Sequence, residues 1–470
     1  MVADMIPDGP ARAQPNRSLA AGYSPGPAKA PPIRFHPLVP AIGFVILVGM
    51  VSLYATGSDL YGRILSAWMF GGGIHPFSDL AAIPGWQRCW QTHGFDVYTD
   101  AALKSCHSLP IIYSPLWLRL TFLPSDPAWT NWLGLPVVSA FLLSLGLLPY
   151  PRPRADQAFI ILATFSPAPV FAVERANVDL IMFLLAVGSV YCLEGTLLRR
   201  ILGYGLMLIG GLLKFYPLVL LALLLRERLR ILLAVGFAAA AIVVVMAMFF
   251  LDELRRLGPV PSGSPFHFMW GARNIPIGLP SVTRAALHAL GVPAPVIETL
   301  TGSPWLPAFL ALALLTAAIA MALLLERRPD LRVSLAAIPD RTHHFLLVGG
   351  VLIVGCFFAG QNISYRGIFL LPILPGILAL TQIAPSRALR NIFTLTTASI
   401  LLVLWEMTVR RTVATLFGVP VDSLPVRAVW VFKELAWWWL VTVLIAILLR
   451  FVEGSPAWRD LRLMLRNSQS

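Results

Sequence analysis

Ten stretches of about 20 mostly apolar residues recur along this 470-residue chain, near 38–56, 131–149, 156–173, 177–195, 231–251, 304–325, 344–360, 365–383, 391–409 and 434–451. At 1.5 Å per residue, about 20 residues cross the ~30 Å hydrocarbon core of a bilayer. Inside that core every backbone N–H and C=O must be paired within the protein, which leaves helices and closed barrels as the available forms. Runs of this length and continuity favour helices. With 57% hydrophobic and only 13% charged residues, the chain has too little polar surface to cover a soluble fold of this size. The expected class is therefore an all-α polytopic membrane protein.

The charges set the orientation. The formal net charge is +13, and the basic residues cluster in short connections between apolar runs: Arg152 and Arg154, Arg199 and Arg200, Arg226 to Arg230, Arg327 and Arg328, Arg387 and Arg390. Such clusters mark the cytoplasmic side and argue against a nucleic-acid partner. Both termini then lie inside, and loops 57–130, 252–303 and 410–433 lie outside. Residues 1–35, rich in Pro and Ala, read as a disordered cytoplasmic tail without the layout of a cleavable signal peptide. Residues 36–452 form the membrane domain, and 453–470 a basic cytoplasmic tail. Loop 252–303, dense in Gly and Pro, is expected to be ordered in part, with a short amphipathic helix over Ser281 to Leu290.

Residues 201–225 do not fit a single span. They are apolar, yet the arginine clusters at either end both carry the cytoplasmic signature. Two short arms meeting at Lys214-Phe215-Tyr216-Pro217 keep both clusters on one side, each arm being about a dozen residues and too short to cross alone. A hairpin buried in protein at membrane depth is expected, where interrupted helices are tolerated if they line a cavity. With its two arms the count reaches twelve helices.

Ionisable residues in apolar context are functional candidates. Glu174-Arg175-Ala176-Asn177-Val178-Asp179 falls at an outer turn. Either Asp179 pairs with Arg175 while Asn177 caps the next helix, or Arg175 binds a phosphate, with Asp179 or Glu174 orienting it. Lys214 has no acid within four residues, and a buried ammonium needs an anion. An ion pair to Asp179 or Glu174 competes with contact to a lipid phosphate. Arg366, in Gly360-Gln361-Asn362-Ile363-Ser364-Tyr365-Arg366, could snorkel to headgroups or bind an anionic head together with Tyr365. His267, Arg273, Asn274 and Arg284 are weaker candidates and read as surface residues.

Asp79, in Phe77-Ser78-Asp79-Leu80, lies in the first outer loop about twenty residues past the first apolar run, either as a helix N-cap or as a general base. Asp59 is the reserve acid, and Asp96 in Gly94-Phe95-Asp96-Val97-Tyr98 reads as structural. Cys89 and Cys106 share the outer loop and are expected to bridge. Cys192 and Cys356 lie within spans as packing residues. No Cys/His cluster has zinc spacing, His343-His344 reads as a cytoplasmic loop pair, and Gly71-Gly72-Gly73 lacks the context of a phosphate loop. Neither a metal nor a cofactor is expected.

The order of these features carries a resemblance: the acid at Asp79, the Gly94 to Tyr98 turn, Tyr113-Ser114-Pro115-Leu116-Trp117, the Arg175-x-Asn177-x-Asp179 string, Lys214-Phe215-Tyr216-Pro217 and Tyr365-Arg366. Across residues ~38–385 the chain resembles polytopic glycosyltransferases of the GT-C superfamily, and is most similar to family 87, the polyprenyl-phosphate-mannose type. Members of that family often carry a His near 361–366, and this chain has none there. The resemblance implies transfer of a hexose, mannose being the family's type, from a polyprenyl-phosphate donor to a lipid-linked or cell-envelope acceptor outside the inner (plasma) membrane. It implies Asp79 as catalytic base, Lys214, Arg175 and Arg366 as donor-phosphate ligands, and Asn177, Asp179 and Tyr365 in support. One carboxylate is chemically adequate, because a phosphate leaving group departs without a general acid, whereas a glycoside hydrolase needs two carboxylates. The alternative is a transporter or lipid flippase, which also uses broken helices and intramembrane charges.

Overall fold

The computed structural model describes residues 34–68, 76–99, 104–106, 111–151, 153–257 and 263–468. The tail up to residue 33, the Gly71-Gly72-Gly73 string and the side chain of Asp96 lie outside the described residues. The described residues are mostly helical, with one two-stranded antiparallel sheet.

Among the described residues, six helices are long and apolar enough to cross a bilayer: Leu38–Ala55, Leu229–Phe249, Leu306–Glu326, Asp340–Ala359, Arg387–Phe417 and Leu424–Gly454. Two further spans are broken, Arg154–Thr164 with Pro167–Glu174 and Ser364–Leu370 with Leu374–Ile383, each bent by 45°. The chain is a multi-pass, all-α membrane protein of six to eight such spans. Proline makes both bends. Ser166, before Pro167, is extended at ψ 162°, as the clash with a following proline ring requires, and Pro372 interrupts the second pair. The two other apolar runs of the sequence become Thr130–Leu145 and Asp179–Leu193, of 16 and 15 residues. Each rises about 24 Å or less and falls short of a full crossing.

Burial separates centre from rim. Two-thirds (67%) of the Asp340–Ala359 segment is buried within the protein, against 6% of Leu229–Phe249. The central helix packs on Asp179–Leu193, Leu374–Ile383 and Leu424–Gly454, while Phe237, Phe249 and Phe309 on the outer helices are exposed. In a chain of this composition those rings face lipid.

The hairpin is present. Leu197–Lys214 is followed by a reversal at Phe215 and by a 3₁₀ arm, Tyr216–Arg226, packed against the first. The arms close at their open end: Arg200 donates to both oxygens of Glu227 at 2.8 and 3.0 Å, and the Tyr204 hydroxyl donates to the same carboxylate at 2.9 Å. Both arginine clusters therefore share one end, with Lys214 at the other. The arms come close because a Cβ on Gly211 would stand 2.4 Å from Leu218. The first arm is longer than the dozen residues expected, an 18-residue helix starting at Leu197. The second keeps to 11 residues, about 22 Å at the ~2 Å rise of a 3₁₀ helix and short of a full crossing.

Two other expectations need correction. Residues 410–433 are not a loop, since Arg387–Phe417 and Leu424–Gly454 run 31 residues each and leave only a short turn between them. Their charges interrupt the apolar run but are neutralised within the helices, Glu406 with Arg410 at 3.1 Å and Lys433 with Glu434 at 2.6 Å. The helix in loop 252–303 covers Asn274–Ala289 and starts seven residues earlier than Ser281. Residues beyond 453 are likewise structured: Pro456–Asn467 is a helix whose Asp460 accepts the Leu229 amide at 3.0 Å.

The sheet joins two distant segments. Strand β1, Met269–Trp270, pairs antiparallel with β2, Asn362–Ile363. Next to it Gly271 adopts φ 142°, and a Cβ there would lie 2.4 Å from the Gly360 carbonyl oxygen. Only glycine allows that approach.

Candidate functional site

Asp79 does not cap its helix. The N-cap of Ser78–His93 is Phe77, and no side chain bonds the first-turn amides. The carboxylate is instead shared by the turn at 174–179: Arg175 Nη1 donates to Oδ1 at 3.2 Å and Asn177 Nδ2 to Oδ2 at 2.6 Å. The backbones are laced as well, with the Phe77 amide on the Glu174 carbonyl at 2.7 Å and the Leu80 amide on the Arg175 carbonyl at 3.4 Å. Further along the same helix Gln87 donates to the carbonyls of Trp117 and Leu120, and Cys89 is disulfide-bonded to Cys106. The helix carrying Asp79 is thus fixed at both ends.

Asn177 links this carboxylate to the hairpin apex. Its Oδ1 accepts from Lys214 Nζ at 3.1 Å and from the Asp179 amide at 2.9 Å. Lys214 pairs with Asp179 Oδ1 at 2.7 Å, and the Tyr216 hydroxyl donates to the same oxygen at 2.6 Å. Arg366 Nε approaches Asp179 Oδ2 at 3.5 Å, and its Nη1 donates to Asn362. Aromatic faces enclose the cations: Lys214 lies 4.6 Å from the Tyr113 ring centroid and 5.8 Å from that of Tyr365, and Arg366 lies 4.8 Å from that of Tyr216. All the site residues picked out from the sequence, Asp79, Arg175, Asn177, Asp179, Lys214, Tyr365 and Arg366, meet in one network.

The network follows some of the alternatives open in the sequence and departs from one. Arg175 joins Asp79 and Glu174, the latter at 3.6 Å, and not Asp179. Lys214 takes Asp179, as the ion-pair alternative holds. Three acids (Asp79, Glu174, Asp179) face three bases (Arg175, Lys214, Arg366), so the cluster is neutral in formal charge. Burying an ionic group is tolerated when each charge is paired in this way.

Backbone strain converges on the same place. Among the described residues, the non-glycine residues with positive φ are Phe77 (62°), Ala176 (42°), Phe215 (57°) and Phe268 (47°). The first precedes Ser78-Asp79, the second separates Arg175 from Asn177, and the third follows Lys214. Phe268 packs on Phe171, and its carbonyl accepts both the amide and the hydroxyl of Ser364, two residues before Arg366. A left-handed conformation costs a non-glycine residue about 1–2 kcal/mol and persists where its surroundings over-determine it. No sequence signal announced these positions, since three are Phe and one is Ala.

Beside Glu174 opens a cavity of about 420 Å³ between Leu38–Ala55, Thr130–Leu145 and the bent Arg154–Glu174 pair. Leu47, Met50, Leu135 and Val170 are among the residues of its largely apolar wall, and Tyr61 and Glu174 are among the few that bring polar groups. Its size and character suit a hydrocarbon chain.

The weaker candidates fall elsewhere. Asp59 opens the Asp59–Ala67 helix, exposed and outside the network. His267 and Arg273 are exposed, and Arg284 bonds Glu298 and Thr301 near the surface. Asn274 is not a surface residue: fully buried, it donates to Glu434 at 2.9 Å and accepts from Gln361 at 3.0 Å. It belongs to a second buried polar group the sequence reading missed, in which Lys433 Nζ donates to Glu434 at 2.6 Å and to the Met269 carbonyl at 2.7 Å. The signal was there, an adjacent Lys-Glu pair in apolar surroundings. It was obscured by assigning Lys433 to a loop.

His343 and His344 stand in the Asp340–Ala359 helix, not in a loop. His93 lies with Cys89 and Cys106 at metal-ligand distances, but the two sulfurs are bonded to each other and the imidazole meets Ser105 at 3.1 Å.

No protein-family model matches the chain, and neither curated proteins nor solved structures give a match.

Proposed function

We propose that the protein is a membrane glycosyltransferase that moves a hexose from a polyprenyl-phosphate donor to a lipid-linked or cell-envelope acceptor, with Asp79 as base. The observation that carries this reading is the position of the Asp79 carboxylate. It lies between a cation-bearing cluster (Arg175, Lys214, Arg366) and the turn that borders an apolar cavity able to take a lipid chain. An acceptor hydroxyl oxygen attacks the anomeric carbon, its proton passes to Asp79, and the sugar–phosphate C–O bond breaks with its electron pair leaving on phosphate. The anomeric centre inverts. Because the cluster is neutral at rest, a donor phosphate must take over contacts that Asp179 and Asn177 now hold on Lys214 and Arg366. In this reading the bundle counts twelve helices with the hairpin arms, lies in the inner membrane, and keeps both termini and the arginine clusters in the cytoplasm.

A second reading, transport of a lipid or glycolipid, is favoured by the two bent spans and by the neutral charge network at a helix break. One experiment separates them. Membranes containing the protein are supplied with labelled polyprenyl-phosphate sugar, and transfer is followed for the parent, Asp79→Asn and Asp59→Asn. Loss of transfer by Asp79→Asn alone supports the glycosyltransferase. A parent that transfers no label but equilibrates it across the bilayer supports the transporter.

A further inference from the structure

At the end of the hairpin opposite Lys214, a cavity of about 640 Å³ is lined by five arginines, Arg226, Arg332, Arg450, Arg459 and Arg462. They converge from four segments: the end of the 3₁₀ arm, Pro329–Ala337, Leu424–Gly454 and Pro456–Asn467. Only two acids share the lining, Asp340 and Glu453. Glu453 is committed to Arg450, which also holds Glu326, each at 2.7 Å. Arg226 keeps a buried Nη1 with no hydrogen-bond partner, and neither Arg332 nor Arg459 makes a side-chain ion pair among the described residues. The Asp79 cluster balances three acids against three bases, whereas this lining carries an excess of three positive charges with a buried donor left open.

We propose that this cavity is a binding site for a phosphate-bearing anion. Guanidinium groups converging on a concavity match the planar, multidentate contacts that phosphate oxygens accept. The helix bordering the cavity points to a lipid source. Pro456–Asn467 exposes Leu461, Met464 and Leu465 on one face and Arg459, Arg462 and Arg466 on another, with the exposed Leu463 at the border of the basic face. That is the pattern of a helix lying in the interface with its basic side at headgroup level. A phospholipid phosphate and a soluble phosphate share the recognition chemistry, and the test distinguishes them.

The full-length protein, purified in mild detergent, is offered phosphatidylglycerol or phosphatidylcholine of identical chains, and retained lipid is measured by native mass spectrometry. Inorganic phosphate is titrated separately against thermal stability. The parent is expected to retain phosphatidylglycerol preferentially, and the R332Q/R459Q double variant, altered at two exposed positions, to hold it about tenfold more weakly or worse. A second double variant, R228Q/R230Q, removes the same charge from exposed positions outside the lining and is expected to behave as the parent. Selective lipid retention without an effect of phosphate assigns a headgroup. Stabilisation by phosphate that R332Q/R459Q abolishes assigns a soluble anion. The proposal is overturned if the parent shows neither lipid preference nor phosphate stabilisation, or if R228Q/R230Q weakens binding as much as R332Q/R459Q.

Discussion

Two of the places where the protein buries charge are built differently. Lys433 and Glu434 sit within a continuous 31-residue helix, reach Asn274 at the start of another helix and through it Gln361, and brace β1 through the Met269 carbonyl. The Asp79–Arg175–Asn177–Lys214–Asp179–Arg366 network is assembled wholly from helix ends and breaks, next to residues in the left-handed region, with a cavity alongside. Both are paired, and each has a buried ion pair at its centre, Lys433 with Glu434 and Lys214 with Asp179, although Arg175 and Asp79 stay partly exposed. Burial and charge alone therefore do not tell a working site from a structural brace. The backbone does: a brace takes whatever a regular helix offers, whereas the Asp79 network holds its side chains in place at the expense of backbone strain.

That contrast is most exposed by paired neutralisations. Asp79→Asn retains the shape and can still accept from one of its two donors, but it cannot take a proton, so sugar transfer should fall by about 10²–10⁴. Glu434→Gln, which keeps the Asn274 contact, should transfer at close to the parental rate. If the two variants lose activity equally, the distinction between site and brace is wrong.

Stability should respond in the reverse order. Glu434→Leu leaves the Lys433 ammonium buried without its carboxylate, and breaking a buried pair from one side costs about 3–5 kcal/mol. The double variant Lys433→Met/Glu434→Leu removes both charges and should recover most of that loss. A thermal-unfolding series on the two singles and the double decides this. Additive losses would show that the pair is not coupled.

Donor binding gives the next smaller effect. On the proposed function, Lys214→Gln removes one charge-assisted contact to the donor phosphate, about 1.5–3 kcal/mol, and should weaken binding of a polyprenyl-phosphate sugar roughly tenfold to a hundredfold. Lys433→Gln should leave it unchanged. Equal binding by the parent and Lys214→Gln would confine Lys214 to its ion pair with Asp179.

Much of this was legible in the sequence, for definite reasons. Apolar runs fix where a chain can cross a bilayer, so the long spans were located to within a few residues at 38–56 and 304–325, against Leu38–Ala55 and Leu306–Glu326. The hairpin followed from two arginine clusters that could not sit on opposite sides. The network residues stood out because charge in apolar surroundings is costly unless it is paired. What could not be read was the partnering. Whether Arg175 turns to Asp79 or to Asp179 depends on the φ of Ala176, and an alanine does not advertise a left-handed backbone. Lys433 and Glu434 were hidden for another reason: a hydropathy run ends at a charge, while a helix continues through a charge that is neutralised by its neighbour.

The smallest expected effect tests the strain itself, with one substitution made in both regions. Ala436 lies mid-helix near Glu434, and Ala436→Gly should destabilise in the ordinary way. It loses about 1 kcal/mol of helix preference and up to ~0.8 kcal/mol from the missing methyl. Ala176 is also buried but sits at φ 42°. There, Ala176→Gly gives up the same methyl and the same glycine chain entropy, yet releases the ~1–2 kcal/mol that a left-handed alanine carries. The terms nearly cancel, so the unfolding temperature should hardly move. Transfer activity should then report whether the strain matters. A glycine frees the Arg175–Asn177 hinge, and Asp79 loses the fixed geometry of its two donors without losing either one. If Ala176→Gly is as destabilising as Ala436→Gly, position 176 carries no backbone strain, and the difference between the two buried networks reduces to where their charges fall in the chain.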